Sequence, residues 1–251
     1  MFSLFKIFQE DKEFLASKRL RVDIHSHLLA DIDDGSKSIE DSIDMISRLK
    51  GLGYEKLIIT PHTMSDVYPN TKSDILKKFE LLQNRIKSKN ISIKLDISSE
   101  YYLDENFLNI LNSDEIIPIN NKYILIETSY VNKPIDFEEI IFSIKLKGLI
   151  PILAHPERYR YIQELDNEYL RMKELGILFQ ININSLAGYY GKDAYSKVSF
   201  LINKGLVDFI GSDTHHIKHI NILDKTIKNK KLWKKIFNKN IILNERLLNG
   251  I

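Results

Sequence analysis

Acids and imidazoles recur in this sequence at the ends of short apolar runs. His25 and His27 close the run "RVDIHS", and His62 follows "KLIITP". Glu100 ends "DISSE", Glu127 ends "ILIET", and His155 follows "PILA". Asp213 and His215 follow "DFIGS", and Asp34 lies in "ADIDDG" close to the first pair. Taken singly, each has an ordinary reading. A histidine after a strand is a loop or hydrogen-bonded core residue, and Asp33 and Asp34 before Gly35 build a turn or cap a helix. Together they converge, and charged groups brought to one end of a sheet repel or are costly to desolvate without a counter-ion. Metal cations resolve that conflict. In a strand, residues i and i+2 share a face, so His25 and His27 reach the same ion. The set is nitrogen and oxygen without sulfur, which suits Mn, Fe or Zn. It exceeds what one ion needs, so two or three ions sharing a bridging carboxylate are the economical expectation. Such centres favour in-line attack on phosphorus. Arg158, in "HPERYR", adds a planar fork that fits a phosphate oxygen pair. The ordinary alternative is an arginine at a helix start, a place the helix dipole makes unfavourable for a cation.

The elements that must position these groups are legible as alternation. "SIEDSIDMISRLKGLGY" keeps Ile39, Ile43, Ile46 and Leu49 at helical spacing, with Ser38 and Asp41 resembling a capping box. "SDILKKFELLQNRIKSK", "FEEIIFSIKLKG" and "NEYLRMKELG" are further helical patterns. Between them stand about seven nearly continuous apolar runs, as expected of parallel strands buried on both faces. The remaining runs are "ISIKLDIS", "KYILIETS", "LIPILAHP", "GILFQININ" and "VDFIGSDTHH". This order predicts an α/β protein with a parallel sheet, closed as a barrel or open and doubly wound. In a barrel, the C-terminal strand ends are where active sites assemble.

Bulk properties narrow the rest. The 251 residues suit one α/β barrel, and a net charge of +2 carries no nucleic-acid signature. The lysines from Lys228 to Lys235 read as a solvated helix face. With no cysteine, disulfides, thiolate sites and cysteine nucleophiles are excluded. The opening "MFSLFKIFQEDKEFL" is too short in apolar residues for a signal core and reads as an amphipathic extension over 1–20. No run is long enough to span a membrane. The expectation is a cytoplasmic protein without stable membrane insertion, its oligomeric state left open.

At the blocks "DIHSHLLADIDDG", "TPH", "SSEYY", "ILIETS", "AHPERY" and "GSDTHH" the chain resembles the PHP family, named for polymerase and histidinol phosphatase domains. It is most similar there to the manganese-dependent protein-tyrosine phosphatases of bacterial capsule and exopolysaccharide operons. The resemblance implies a single-domain, distorted (β/α)7 TIM-like barrel over 21–251. It also implies two or three Mn ions, with Fe or Zn as substitutes. Carried over by motif, His25, His27, Glu100 and Asp213 would bind one ion. His62 and His155 would bind a second, with Glu100 bridging, and Asp34, Glu127 and His215 a third. Arg158 matches the phosphate-binding arginine; with Glu127 and His215 it forms the expected catalytic group. The implied substrate is a phosphotyrosine protein, an autophosphorylated bacterial tyrosine kinase of polysaccharide export. Members often carry a second arginine after the Asp-x-His block; here Lys218 stands there, with His216 and His219 nearby. One rival is a PHP phosphoesterase for a small molecule such as histidinol phosphate. Another is a metal-dependent amidohydrolase, disfavoured because Glu127 stands where that family places a bridging lysine. A non-catalytic scaffold ranks last, because the ligand set is complete.

Overall fold

The computed structural model describes residues 20–248. The extension expected over 1–20 therefore lies outside the described residues, Leu20 apart. Among the described residues there are nine strands: β1 (Val22–Asp23), β2 (Lys56–Ile59), β3 (His62–Thr63), β4 (Lys94–Ile97), β5 (Glu100–Tyr102), β6 (Tyr123–Glu127), β7 (Ile150–Ala154), β8 (Leu178–Asn182) and β9 (Phe209–Gly211). Every pairing between them is parallel. They form a three-stranded sheet, β1-β2-β4, and a six-stranded sheet, β3-β5-β6-β7-β8-β9. This bears out an α/β fold with parallel sheets, but not one continuous closed sheet.

Two expected strands are each interrupted. β2 and β3 are separated by Thr60 and Pro61, and β4 and β5 by Ser98 and Ser99. Proline has no N–H to give a ladder, and each pair of residues is a break at which the chain leaves one sheet for the other. At the far side, the segments after β1 and β9 meet. Asp213 N–H donates to His25 O at 2.8 Å, and His27 N–H donates to Thr214 O at 2.9 Å.

Helices α1 (Ile39–Gly51), α2 (Lys72–Ser88), α3 (Phe107–Asn112), α4 (Phe137–Leu146), α5 (Leu165–Glu174) and α6 (Lys192–Lys204) lie between strands, and α7 (Ile217–Ile227) and α8 (Lys230–Lys239) follow β9. Ser38 caps α1 by accepting from Asp41 N–H, whereas the reciprocal capping box belongs to Thr71 and Asp74 at the start of α2. The larger apolar cluster joins strands to helices, through residues such as Met45, Phe79, Ile141, Phe179 and Leu201. A smaller cluster is built from strand residues, among them Val22, Ile58, Leu125, Ile152 and Phe209, with Leu247 and Leu248 beneath.

The two-residue strand period carries that inner face directly into the polar site. On β2 and β3 the same-side series runs Ile58, Thr60, His62; on β6 it runs Tyr123, Leu125, Glu127. On β9 and its continuation it runs Phe209, Gly211, Asp213. Each series is apolar at the N-terminal end of the strand and ligating at the other. Among the described residues, no helix is long and apolar enough to cross a membrane.

Candidate metal centre

All nine side chains singled out as ligands come together at the C-terminal strand ends. Their donor atoms fall into overlapping groups within 4.8 Å. One holds His25, His27 and Asp213; another His25, Glu100 and His155; a third His62, Glu100 and Glu127. The fourth holds His27, Asp34, His62 and His215. Asp34 and His215 are thus neighbours, while Glu127 groups with His62 and Glu100. Glu100 lies at the centre: its Oε2 is 3.1 Å from His25 Nε2, 3.4 Å from His27 Nε2 and 3.2 Å from His62 Nδ1, and its Oε1 is 3.0 Å from His155 Nε2.

The hydrogen bonds around the rings decide which nitrogen faces inward. His25 Nδ1 lies 2.7 Å from Gln180 Oε1, and His27 Nδ1 lies 2.8 Å from Asp33 Oδ2. Both Nδ1 atoms therefore carry hydrogen, since their partners only accept. His215 Nδ1 likewise donates to Asp213 O at 3.0 Å. The freed Nε2 atoms of His25 and His27 then confront each other at 3.1 Å. Two imidazole lone pairs at that distance, buried beside two carboxylates, repel unless positive charge lies among them. His62 Nδ1, Glu100 Oε2, His155 Nδ1 and Asp213 Oδ1 are buried and have no hydrogen-bond partner among the described residues. The donors fit divalent cations by type, by inward orientation and by these orphaned atoms.

Protonation follows the same pattern. Burial pushes the Glu100 and Asp213 carboxyls up, but His25 and the other imidazoles, with Arg158 at Asp213, hold both well below the carboxylate range. Burial pulls the His25 and His27 imidazoles down, yet the acids beside them, Glu100 for His25 and Asp33 for His27, raise both. At His62, burial and His27 work downward, but Glu100 and Glu127 prevail and raise it to about 9.

His155 (φ 34°) and Asp213 (φ 49°) adopt left-handed backbone, uncommon for residues with a side chain and characteristic of strained functional positions. Gly35 has its own constraint: a Cβ there would lie 2.2 Å from His27 O and 2.5 Å from His27 Cβ.

Above the donors opens a cleft of about 340 Å³, lined by Asp34, His62, His155, Arg158, Tyr190 and His215 among others. Glu127 is not among the lining residues. Arg158 ends the short 3-10 turn Pro156–Arg158, and its Nη1 donates to Asp213 Oδ2 at 3.0 Å. Its guanidinium is packed against two phenol rings, 4.6 Å from the centre of Tyr130 and 4.2 Å from that of Tyr190. Lys218 is exposed and borders a neighbouring cleft with Lys37, sharing Asp34, His215 and His216 with the first.

Sequence reasoning missed several supporting groups. Asp33, read as a turn residue, is buried and also accepts from His62 N–H at 3.1 Å and Gly35 N–H at 2.9 Å. The aspartate pattern D-x-D-D-G with a histidine six residues upstream was the available signal. Gln180, Tyr130 and Tyr190 gave none, being uncharged and far apart in the chain.

Known proteins resemble this chain in sequence and in fold. YwqE of Bacillus subtilis, a tyrosine-protein phosphatase, is 32% identical over 201 residues, covering 80% of this chain and 79% of its own. The tyrosine-protein phosphatase CpsB of Streptococcus agalactiae serotype III is 27% identical, covering 78% of this chain and 83% of its own. A chain from the crystal structures of B. subtilis YwqE and Streptococcus pneumoniae CpsB, described as metal-dependent tyrosine phosphatases, superposes with a TM-score of 0.78. It shares 28% identity and covers 92% of this chain and 96% of its own. The model of the capsular polysaccharide synthesis family CpsB/CapC matches residues 21–242, and the chain belongs to that family.

Proposed function

We propose that this protein is a metal-dependent protein-tyrosine phosphatase of capsule or exopolysaccharide synthesis. The observation that carries the reading is the confrontation of His25 and His27 Nε2 beside the Glu100 and Asp213 carboxylates, directly under a cleft bearing Arg158. The family and the named phosphatases among its relatives support it. We further assign the fold to the PHP type. β2 with β3 and β4 with β5 each make one bent strand, giving seven strands of a distorted barrel over 21–251 as a single unit.

The nine side chains would hold two or three ions with Glu100 central to the set. His25, His27 and Asp213 stand together in one group, Glu127 with His62 and Glu100 in a second, and Asp34 and His215 with His27 and His62 in a third, His155 joining through Glu100. Mn is the preferred metal, with Fe or Zn as substitutes. Divalent cations bound there would polarise the phosphoryl group and offset charge on the attacking and departing oxygens. The chain's own residues do the rest. Arg158 presents its free N–H groups to the non-bridging phosphate oxygens while Asp213 holds one Nη. Tyr130 and Tyr190 flank the guanidinium and keep its fork in one plane. Asp33 and Gln180 fix the imidazoles with Nε2 forward. Hydrolysis breaks the bond from phosphorus to the tyrosine oxygen, water supplies the new oxygen, and the phenolate takes up the proton. No thiol is required, in keeping with a chain without cysteine. The substrate assigned is an autophosphorylated tyrosine kinase in the cytoplasm.

Purified protein supplied with Mn²⁺ should hold more than one metal ion per chain and hydrolyse a phosphotyrosine peptide. Histidinol phosphate and a phosphodiester are the controls. Much faster turnover of histidinol phosphate than of the peptide would assign the site to small molecules instead, and full activity without metal would overturn the reading.

A further inference from the structure

β8 supplies none of the nine candidate ligands, yet two of its side chains are wholly buried between two of those candidates, His25 and Asp213. Gln180 and Asn182 stand two residues apart on that strand, so both carboxamides project from one face. The direction of each hydrogen bond follows from the donor inventory. A carboxylate oxygen only accepts, so Asn182 Nδ2–H donates to Asp213 Oδ2, at 2.6 Å. Asn182 Oδ1 is then turned to Gln180 and accepts from its Nε2–H at 2.9 Å. That leaves Gln180 Oε1 facing His25 Nδ1 at 2.7 Å, where the imidazole must be the donor. Each link is dictated by the one before it, beginning at the carboxylate.

The chain of amides occupies the rear atom of both residues that it joins. Their forward atoms, His25 Nε2 and Asp213 Oδ1, lie 3.5 Å apart, and Asp213 Oδ1 has no hydrogen-bond partner among the described residues. Two further features serve the same arrangement. Glu157 Oε1 accepts from Asn182 N–H at 2.9 Å and from Ser185 Oγ at 2.6 Å, anchoring the strand at Asn182. Gly211 on β9 leaves room: a Cβ there would stand 2.7 Å from Gln180 Nε2 and 2.8 Å from His25 Cβ.

We infer that Gln180 and Asn182 are positioning residues, a directional amide relay that sets the separation of His25 and Asp213 as a pair of donors to one cation. The inference rests on the metal reading of the site. A carboxylate at position 180 could accept from His25 but has no hydrogen for Asn182. Asn182 would then be free to turn its oxygen toward Asp213, acceptor against acceptor. Two neutral amides transmit orientation between the donors and add no charge to a pocket already crowded with it.

The test uses the full chain stripped of metal, with Mn²⁺ alone as the probe in calorimetric titration. Gln180→Leu and Asn182→Leu should each weaken Mn²⁺ binding about 10–100-fold, the range for groups that orient a ligand. The double variant should be little worse than either single, because both cut one relay. Isotope-labelled histidine NMR of the metal-free wild type should show an exchange-protected proton on His25 Nδ1, lost in Gln180→Leu. Gln180→Glu should restore that proton without restoring full Mn²⁺ affinity, which a general packing role would not produce. Wild-type affinity in both leucine variants, or a double loss equal to the product of the singles, overturns the relay. So does a wild-type protein lacking the His25 proton, however the variants fold. A wild type that shows the proton but takes up no Mn²⁺ would instead refute the metal reading while leaving the hydrogen-bonded orientation of His25 in place.

Discussion

Replacing Arg158 by alanine separates substrate binding from metal holding. In the free protein one Nη1–H serves Asp213 and the rest of the fork faces the cleft, where a phosphate group can take two charge-assisted hydrogen bonds. Each such bond contributes about 1.5–3 kcal/mol. The side chain is 21% exposed, so water partly replaces what is lost and the lower part of that range applies. A loss of about 3–4 kcal/mol corresponds to a fall of about 10²- to 10³-fold in kcat/KM. Asp213 meanwhile keeps Asn182 Nδ2 at 2.6 Å and its place beside His25, so metal content should not change. Arg158→Lys keeps the charge but loses the fork and its packing on Tyr130 and Tyr190, and should fall between the two. Steady-state rates on a phosphotyrosine peptide in excess Mn²⁺, with elemental analysis of the same samples, read both quantities. A change in kcat/KM of less than about threefold would refute the reasoning on phosphate binding. A parallel loss of metal would make Arg158 a support for Asp213 rather than a substrate contact.

Three other outcomes are expected. Gly35→Ala forces a Cβ into the backbone of His27 and should cost about 1–3 kcal/mol, read as a lower Tm together with weaker metal uptake; an unchanged Tm would mean that the turn yields freely. Manganese at about 100 times its Kd should stabilise the chain by about 2.7 kcal/mol, raising Tm by about 5–10 °C over a chelated sample, and no shift would argue against a folded-state site. In chelator, urea unfolding should show stability falling as pH rises from about 6.5 to about 9. His62 has a folded-state value raised to about 9, so its contribution is complete below its unfolded value near 6.5 and is lost across that window. Stability that rose over that range would contradict the ion pairs described for His62.

The fold was legible where a residue's type and its strand position said the same thing. Apolar runs ending in His62, Glu127 or Asp213 revealed both the parallel strands and the end at which they present their chemistry. The breaks at Thr60–Pro61 and Ser98–Ser99 were not legible, because they depend on which neighbouring strand pairs with each half. Asp33 looked like a turn residue because local geometry explains it equally well; only the fold shows His27 Nδ1 2.8 Å away. Gln180 and Asn182 were hidden within "FQININ", where amides alternating with isoleucine look like any half-polar strand. Tyr130 and Tyr190 meet Arg158 from separate loops, and nothing in their local sequence points to a shared cation.

The contact between the segments after β1 and β9 has a consequence for how the chain comes to work while it is being made. His62, Glu100 and Glu127 can assemble from a stretch of little more than a quarter of the sequence. His25 waits through 188 residues for Asp213, and the amides that orient the pair are themselves among the later arrivals. A nascent chain that has not yet delivered Asp213 can gather part of the donor set but not the site beneath Arg158. The full donor set therefore forms only once the segment after β9 has docked on the segment after β1.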